Sequence, residues 1–342
     1  MISDSRVIDV QNHIFPKSCI RLIQEESKEI SLEPGPSGEL MMYDRTTDEN
    51  FNPLPARLYA EPEQRIKEMD RYGIDVQVLS FPNPGADRFG KQLSVKLCRL
   101  LNEEISGMAE KHPDSFTGFA SVPFCSPVDA VDEIRRAVRD LGLRGVMTYN
   151  NINGEYLDSE RFVPIFEAAS SLGVPVYVHP SIPPTAKVTG TEHNLNMLFG
   201  WPFDTSISMT RVAYSGLLDR LPGLKMIFSH AGGMVSFFSS RISTLHEAHT
   251  SELTGEKFDR SPVENLKKMY VDLAVYGYAP AIKCTLDYFS VGNCLFASDY
   301  PFGPKGGLGL VELATETMSS IDIPPDDKRR IFSDNAGVLL KL

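Results

Sequence analysis

The sequence predicts a (β/α)8 barrel, that is, a single-domain α/β fold of the TIM-barrel class. Eight short apolar runs rich in β-branched residues alternate with helical patterns almost to the end of the chain. The length of 342 residues suits one barrel-sized domain. A doubly wound open sheet is the alternative, but no GxGxxG pattern follows the first run, which disfavours it.

The predicted strands are short and end in polar residues at several positions. In chain order they are "RVIDV" (6–10), "DVQVLSF" (75–81), "FTGFASV" (116–122), "LRGVMTY" (143–149), "VPVYVH" (174–179), "LKMIFSH" (224–230), "MYVDLA" (269–274) and "CLFAS" (294–298). Amphipathic helical stretches such as "PEQRIKEMDRYG" and "SERFVPIFEAASSLG" separate them, and several of these end in glycine, a common helix stop.

One segment after the first strand interrupts the alternation. Residues 34–57, "PGPSGELMMYDRTTDENFNPLPAR", are rich in turn-forming residues. We expect them to form an inserted loop or lid over the mouth of the barrel. The predicted organisation is therefore one domain over residues 1–342 with an insertion at about 34–57.

Composition and charge exclude several classes of partner. A hydrophobic share of 42% and a charged share of 23% are typical of a globular protein in water. The net charge of -11 and the absence of a long Lys/Arg cluster disfavour nucleic acid and anionic membranes. Five scattered cysteines without a CxxC pair, and a polar N-terminus, favour a cytoplasmic location without disulfides. No apolar run approaches the ~20 residues that a membrane span needs.

Metal-binding residue types follow several of the predicted strands. The first strand leads to Gln11 and His13, the fifth ends at His179, the sixth ends at His230, and Asp299 follows the eighth. Active sites of (β/α)8 barrels lie at the C-terminal ends of the strands, so these side chains should converge. Three histidines and a carboxylate suit a divalent cation, with zinc favoured and manganese or magnesium as alternatives.

The spacing within the cluster suggests a division of roles. Gln11 and His13 are two apart on an extended strand, so both side chains can face one ion. A catalytic zinc needs three protein ligands, which His13, His179 and Asp299 can supply. His230 then remains for proton transfer. The alternative for each residue taken singly is a structural role, such as a hydrogen-bonded histidine or an aspartate that caps a turn.

The chain also resembles a known family over essentially its whole length. It is similar to the amidohydrolase superfamily, in the branch of aminocarboxymuconate semialdehyde decarboxylase and the γ-resorcylate decarboxylases. The motifs that carry the resemblance are "IDVQNHIFP", "EPEQRIKEMDRYGIDVQVLS", "VYVHPSIPP", "GLLDRLPGLKMIFSHAGG", "LFASDYPFG" and "RRIFSDNAGVLL".

The resemblance implies roles for particular residues. His13, His179 and Asp299 match the metal ligands of the family, and His230 matches its acid/base histidine. Arg241 matches an arginine that binds a substrate carboxylate across a dimer interface, so a homodimer is implied. Arg57 lies near the position of a second such arginine. For both arginines the alternative is a solvated charge on a helix or loop.

Three functions remain open at this point. The resemblance favours metal-dependent, non-oxidative decarboxylation of an unsaturated or aromatic carboxylic acid, with a small anionic substrate, His230 or Asp299 as the proton donor and no organic cofactor. A hydrolase or hydratase acting on a lactone, amide, C–C bond or double bond could use the same residues. A catalytically inactive binding protein is the third alternative.

Gln11 departs from the pattern of the family, which has histidine or glutamate at this position. A glutamine offers a neutral carbonyl oxygen, a harder and weaker donor to zinc than an imidazole nitrogen. With Asp299 as the only anionic ligand, a bound divalent ion would leave the site with a formal charge of +1. We expect this charge to favour an anionic substrate and to weaken metal affinity.

Overall fold

The computed structural model describes residues 6–36, 39–45, 50–186, 192–253 and 261–342. Its centre is an eight-stranded parallel sheet whose strands follow one another in chain order. These barrel strands, numbered first to eighth here, are Ile8–His13, Val76–Ser80, Phe116–Ser121, Gly145–Tyr149, Val176–His179, Met226–Phe228, Tyr270–Asp272 and Cys294–Leu295. All eight lie within or beside the predicted runs.

The segment after the eighth strand returns to the first strand and brings the sheet close to a closed barrel. The amide of Val10 donates to the carbonyl of Phe296 at 3.1 Å, and the amide of His13 donates to that of Tyr300 at 2.8 Å. These bonds continue the parallel pairing past Leu295. The predicted (β/α)8 fold is therefore confirmed.

Helices surround the strands and begin and end at residues with the expected backbone preferences. Proline occupies the first turn at Pro62 and Pro127, while Gly73 and Gly173 end their helices with a positive φ. The helices are Lys17–Glu26, Pro62–Tyr72, Gly90–Lys111, Pro127–Arg139, Val163–Leu172, Trp201–Tyr214, Leu217–Arg220, Ser239–Leu253, Pro262–Lys268, Ala279–Phe289, Gly309–Ser320, Pro325–Arg329 and Asn335–Leu340.

Apolar side chains fill two separate layers. The larger layer lies between the strands and the helices. The smaller one fills the barrel interior and includes Val10, Val78, Phe119 and Tyr177. The rings of Phe119 and Tyr177 stack at 5.0 Å between centroids. This packed interior closes the barrel beneath its mouth, where the polar groups at the strand ends lie.

The inserted segment contains more regular structure than the sequence predicts. Ile30–Pro34, Leu40–Asp44 and Asn50–Leu54 form a three-stranded antiparallel sheet, so the insertion begins before residue 34. Gly35 and Pro36 lie between the first two of these strands, and residues 37–38 and 46–49 lie outside the described residues. Arg88, which follows the second barrel strand, pairs with Asp44 at 2.5 Å and joins the small sheet to the mouth side of the barrel.

Candidate metal centre and active site

Gln11 and His13 lie at the end of the first barrel strand, at the mouth of the barrel. The register with the second strand shifts between Asp9 and Asn12, and the side chain of Asn12 turns back to the carbonyl of Asp9 at 2.8 Å. The side-chain nitrogen of Gln11 lies 3.2 Å from Oδ1 of Asp299. Nε2 of His13 lies 3.3 Å from the same oxygen. Both residues are fully buried and both reach Asp299, as their spacing predicts.

His179 ends the fifth strand and faces His13. Its Nδ1 lies 2.8 Å from the carbonyl oxygen of Pro180, so Nδ1 carries the proton and Nε2 keeps its lone pair. The His13 and His179 rings lie 4.7 Å apart. Burial, together with the neighbouring His13 and His230, holds the pKa of His179 well below its usual value. A neutral imidazole of this kind is the form that binds a metal ion.

His230 lies two residues after the sixth strand and adopts an unusual backbone conformation, with φ at 53°. Its Nδ1 donates to the carbonyl oxygen of Ala274 at 3.0 Å, which again leaves Nε2 as an acceptor. That acceptor lies 3.2 Å from the side-chain nitrogen of Gln11. The ring centroid lies 5.8 Å from that of His179, so His230 stands beside the His13–His179 pair.

Asp299 lies past the end of the eighth strand, where a positive φ of 63° turns its side chain toward the histidines. Its Oδ1 faces Gln11 and His13, and its Oδ2 accepts the Tyr276 hydroxyl at 3.3 Å. Burial opposes ionisation of this carboxyl, but the nearby histidines favour its charged form and hold its pKa below the usual value. Asp299 is therefore ionised at neutral pH.

The donor atoms of this cluster fit a divalent cation. Those of His13, His179 and Asp299 all lie within 4.8 Å of one another. Ser80 donates its hydroxyl proton to the carbonyl of Asn12 and so accepts from Nδ1 of His13. Nε2 of His13 then presents a lone pair to ionised Asp299, an unfavourable contact that a cation would relieve. Buried Nε2 of His13 and Oε1 of Gln11 have no hydrogen-bond partner among the described residues.

The two predicted arginines lie apart from this cluster. Arg57 pairs with Glu68 at 2.9 Å and also donates to the carbonyl of Gly306. The other carboxylate oxygen of Glu68 accepts the hydroxyl of Tyr300 at 2.6 Å, so Arg57 helps to fix the chain next to Asp299. Arg241 is exposed on the helix Ser239–Leu253. Within the described residues, neither arginine forms a hydrogen bond or ion pair with the cluster.

The seventh strand and the loop after it contribute two residues that the sequence analysis missed. Asp272 is its last residue, and its carboxylate accepts the backbone amide of His230 at 2.9 Å. The ring of Tyr276 lies 5.9 Å from that of His230, and its hydroxyl reaches Asp299. Asp272 could have been found from its strand-end position in "MYVDLA". Tyr276 carries no such signal, because its position depends on the conformation of the loop.

The comparisons with known proteins place this chain in a family. The description of that family is amidohydrolase, and it matches residues 8–342. The chain belongs to the amidohydrolase family. Its similarity to the 2-amino-3-carboxymuconate-6-semialdehyde decarboxylase of Dictyostelium discoideum is 30% identity over 305 residues, 88% of this chain and 83% of the relative. The predicted resemblance to the decarboxylase branch of the family is therefore confirmed.

Solved structures of two decarboxylases share the fold. The 5-carboxyvanillate decarboxylase of Sphingomonas paucimobilis superimposes with a TM-score of 0.84 at 23% identity, covering 98% of this chain and 99% of that one. The dihydroxybenzoic acid decarboxylase of Polaromonas, solved with manganese and the inhibitor 2-nitroresorcinol, has a TM-score of 0.81 at 22% identity, covering 99% and 97%. Within the described residues, no helix is both long and apolar enough to cross a membrane.

Proposed function

We propose that this amidohydrolase catalyses the metal-dependent, non-oxidative decarboxylation of an unsaturated or aromatic carboxylic acid. The observation that carries the proposal is the convergence of three imidazole Nε2 acceptors and the Asp299 carboxylate at the barrel mouth. The names of the relatives support the reaction class, because they are decarboxylases of carboxymuconate, carboxyvanillate and dihydroxybenzoate compounds.

His13, His179 and Asp299 are the proposed metal ligands, with Gln11 beside them. When bound, a divalent ion supplies positive charge that stabilises the negative charge developing on the substrate. Two imidazoles and a carboxylate suit zinc, whereas an amide oxygen from Gln11 would favour manganese. A dication with Asp299 as its only anionic ligand leaves a formal charge of +1, which attracts a small anionic substrate.

The reaction breaks the bond between a conjugated carbon and its carboxylate, releases CO2 and leaves an electron pair on the conjugated system. A proton must then reach that carbon. His230 is the proposed donor, since its Nε2 can take up and pass on a proton while Nδ1 stays bound to Ala274. Asp299, the alternative donor, is less suited because its pKa is lowered, so it holds no proton at neutral pH.

We also propose a homodimer in which Arg241 of the partner subunit binds the substrate carboxylate. Exposed apolar side chains precede two neighbouring helices: Phe237, 78% exposed, comes before the helix that carries Arg241, and Phe199, 63% exposed, comes before the helix Trp201–Tyr214. The amide of Met234 donates to Ser206 at 2.7 Å, which holds the turn before this helix against the helix Trp201–Tyr214. An apolar surface of this kind is typical of an interface between subunits.

The test is CO2 release from a panel of aryl and enoic acids. The protein is first stripped with a chelator and then loaded with zinc, manganese or magnesium, with a His179→Ala variant as the control. We expect turnover of at least one acid that depends on the metal and is absent from the variant. Protein that holds one ion per chain but releases no CO2 from any acid would contradict the proposal. If that protein hydrolysed lactones or amides, the hydrolase function would take the place of the decarboxylase function.

A further inference from the structure

We infer that Asp272 is a positioning residue that holds His230 in the orientation and tautomer needed for proton transfer, an inference that rests on the proposed function. Asp272 ends the seventh barrel strand and is fully buried. It is not among the proposed metal ligands. Its contacts with His230, Ala274 and Tyr177 determine the orientation of the His230 side chain.

The carboxylate of Asp272 holds His230 in two ways. Its Oδ1 accepts the backbone amide of His230 at 2.9 Å and that of Ala274 at 3.1 Å. The carbonyl of Ala274 in turn accepts Nδ1 of His230 at 3.0 Å. The backbone of His230 is therefore held directly and its ring is held through Ala274. Because Nδ1 carries the proton, Nε2 faces the site as an acceptor.

The backbone of this turn needs such support. His230 has a φ of 53° and Ala231 a φ of 58°, both in the left-handed region that residues other than glycine avoid. Conformations of this kind persist where surrounding contacts fix them, and they occur often at active sites. The two amide bonds to Asp272 are contacts of this kind.

Tyr177 fixes the carboxylate itself. Its hydroxyl donates to Oδ2 of Asp272 at 2.5 Å, which leaves Oδ1 free for the two amides. Tyr177 is also fully buried and stacks on Phe119 in the barrel interior, so its own position is well determined. Three donors thus satisfy a buried carboxylate and set its direction.

The variants separate positioning from a purely structural role. Asp272→Ala removes the acceptor of both amides. Asp272→Asn keeps an oxygen for the amides and can donate to the hydroxyl of Tyr177. Tyr177→Phe removes only the bond to Oδ2. The tautomer of His230 is read by NMR of ring-labelled histidines, with a His230→Gln variant to assign its signals, beside kcat, KM and metal content.

We expect Asp272→Ala to lose about 100-fold in kcat, the scale of a misplaced catalytic group, with KM and metal content nearly unchanged. In this variant the fraction of His230 with Nδ1 protonated should fall together with kcat. In Asp272→Asn and Tyr177→Phe, kcat should stay within tenfold of wild type and the His230 tautomer should stay that of wild type. A change of kcat without a change of tautomer, or the reverse, in any variant would overturn the inference.

The test still decides if Asp272→Ala does not fold or if no substrate is found. Should Asp272→Ala not fold, the paired readouts of Asp272→Asn and Tyr177→Phe decide by the same rule. The NMR readout needs no substrate, so it also applies if no acid is turned over. In that case an Asp272→Ala variant that folds and leaves the His230 tautomer unchanged overturns the inference, and a changed tautomer in this variant supports it although the proposed function has failed.

Discussion

The side-chain nitrogen of Gln11 lies 3.2 Å from Oδ1 of Asp299 and the same distance from Nε2 of His230. Both of these atoms are acceptors, because Asp299 is ionised and the proton of His230 is on Nδ1. The amide of Gln11 therefore donates to both and links the acidic residue to the proposed proton donor. A neutral donor at this point holds the cluster together without adding negative charge to it.

A ligand with charge or a nitrogen lone pair at position 11 should bind metal more tightly. We expect Gln11→His and Gln11→Glu to lower the dissociation constant for zinc or manganese by roughly tenfold or more. Competition with a chelator, followed by elemental mass spectrometry, measures this change. Gln64→His, on the exposed surface of the helix Pro62–Tyr72, is the matched control. Equal affinities in wild type and both variants would contradict the proposed geometry.

Replacing His230 should separate proton transfer from metal binding. We expect His230→Gln to reduce kcat by about 100-fold to 10,000-fold, the usual contribution of a general acid or base. Metal content should stay at the wild-type level, since the proposed ligands are unchanged. Steady-state kinetics and elemental analysis are the measurements, and His193→Gln, at an exposed histidine, is the control. Loss of the metal in His230→Gln would identify this histidine as a ligand instead.

The proposed role of Arg241 predicts complementation between inactive chains. Arg241→Ala should lower kcat/KM at least tenfold, because a charge-assisted contact to the carboxylate is lost. When this variant is mixed with His230→Gln and the subunits exchange, one site of each mixed dimer regains both residues. We therefore expect activity to return above that of either variant alone. A monomer in light scattering at assay concentration, or no recovery after verified exchange, would rule out a shared site.

Asp87 provides a prediction of stability against pH that is independent of the reaction. Burial raises the pKa of Asp87 to about 6, although the amide of Cys125 donates to it at 2.7 Å. Between pH 4 and 6 the folded state thus holds a proton that the unfolded state has released. The free energy of unfolding should fall as the pH rises through this range, by about 1.4 kcal/mol per unit of pKa shift.

Asp87→Asn isolates this contribution, because an asparagine keeps the acceptor oxygen and does not titrate. Relative to wild type, the variant should gain about 2.4 kcal/mol of stability on going from pH 4 to pH 7. Urea unfolding at several pH values measures the difference. A constant difference between the two proteins across this range would show that the buried carboxyl titrates normally.

The sequence was most informative where a pattern follows directly from burial. Apolar runs predicted all eight strands, and polar residues at their ends predicted which side chains meet. The small antiparallel sheet was missed because the turn formers of residues 34–57 also suit an irregular loop. The ion pair between Arg57 and Glu68 and the contact of Tyr276 with Asp299 depend on loop geometry. The positive φ of His230, which residue type does not indicate, directs its ring toward the site.

Gln11 and Asp299, which touch across the mouth, are 288 positions apart in the chain. The proposed binding site therefore cannot exist in a nascent polypeptide until its last barrel strand has been synthesised and docked against its first. An ion bound by these residues would connect the first and the last strand of the barrel, and it would be released when either strand detached. Metal uptake should consequently be one of the last events of folding, and metal binding could be used to detect closure of the barrel.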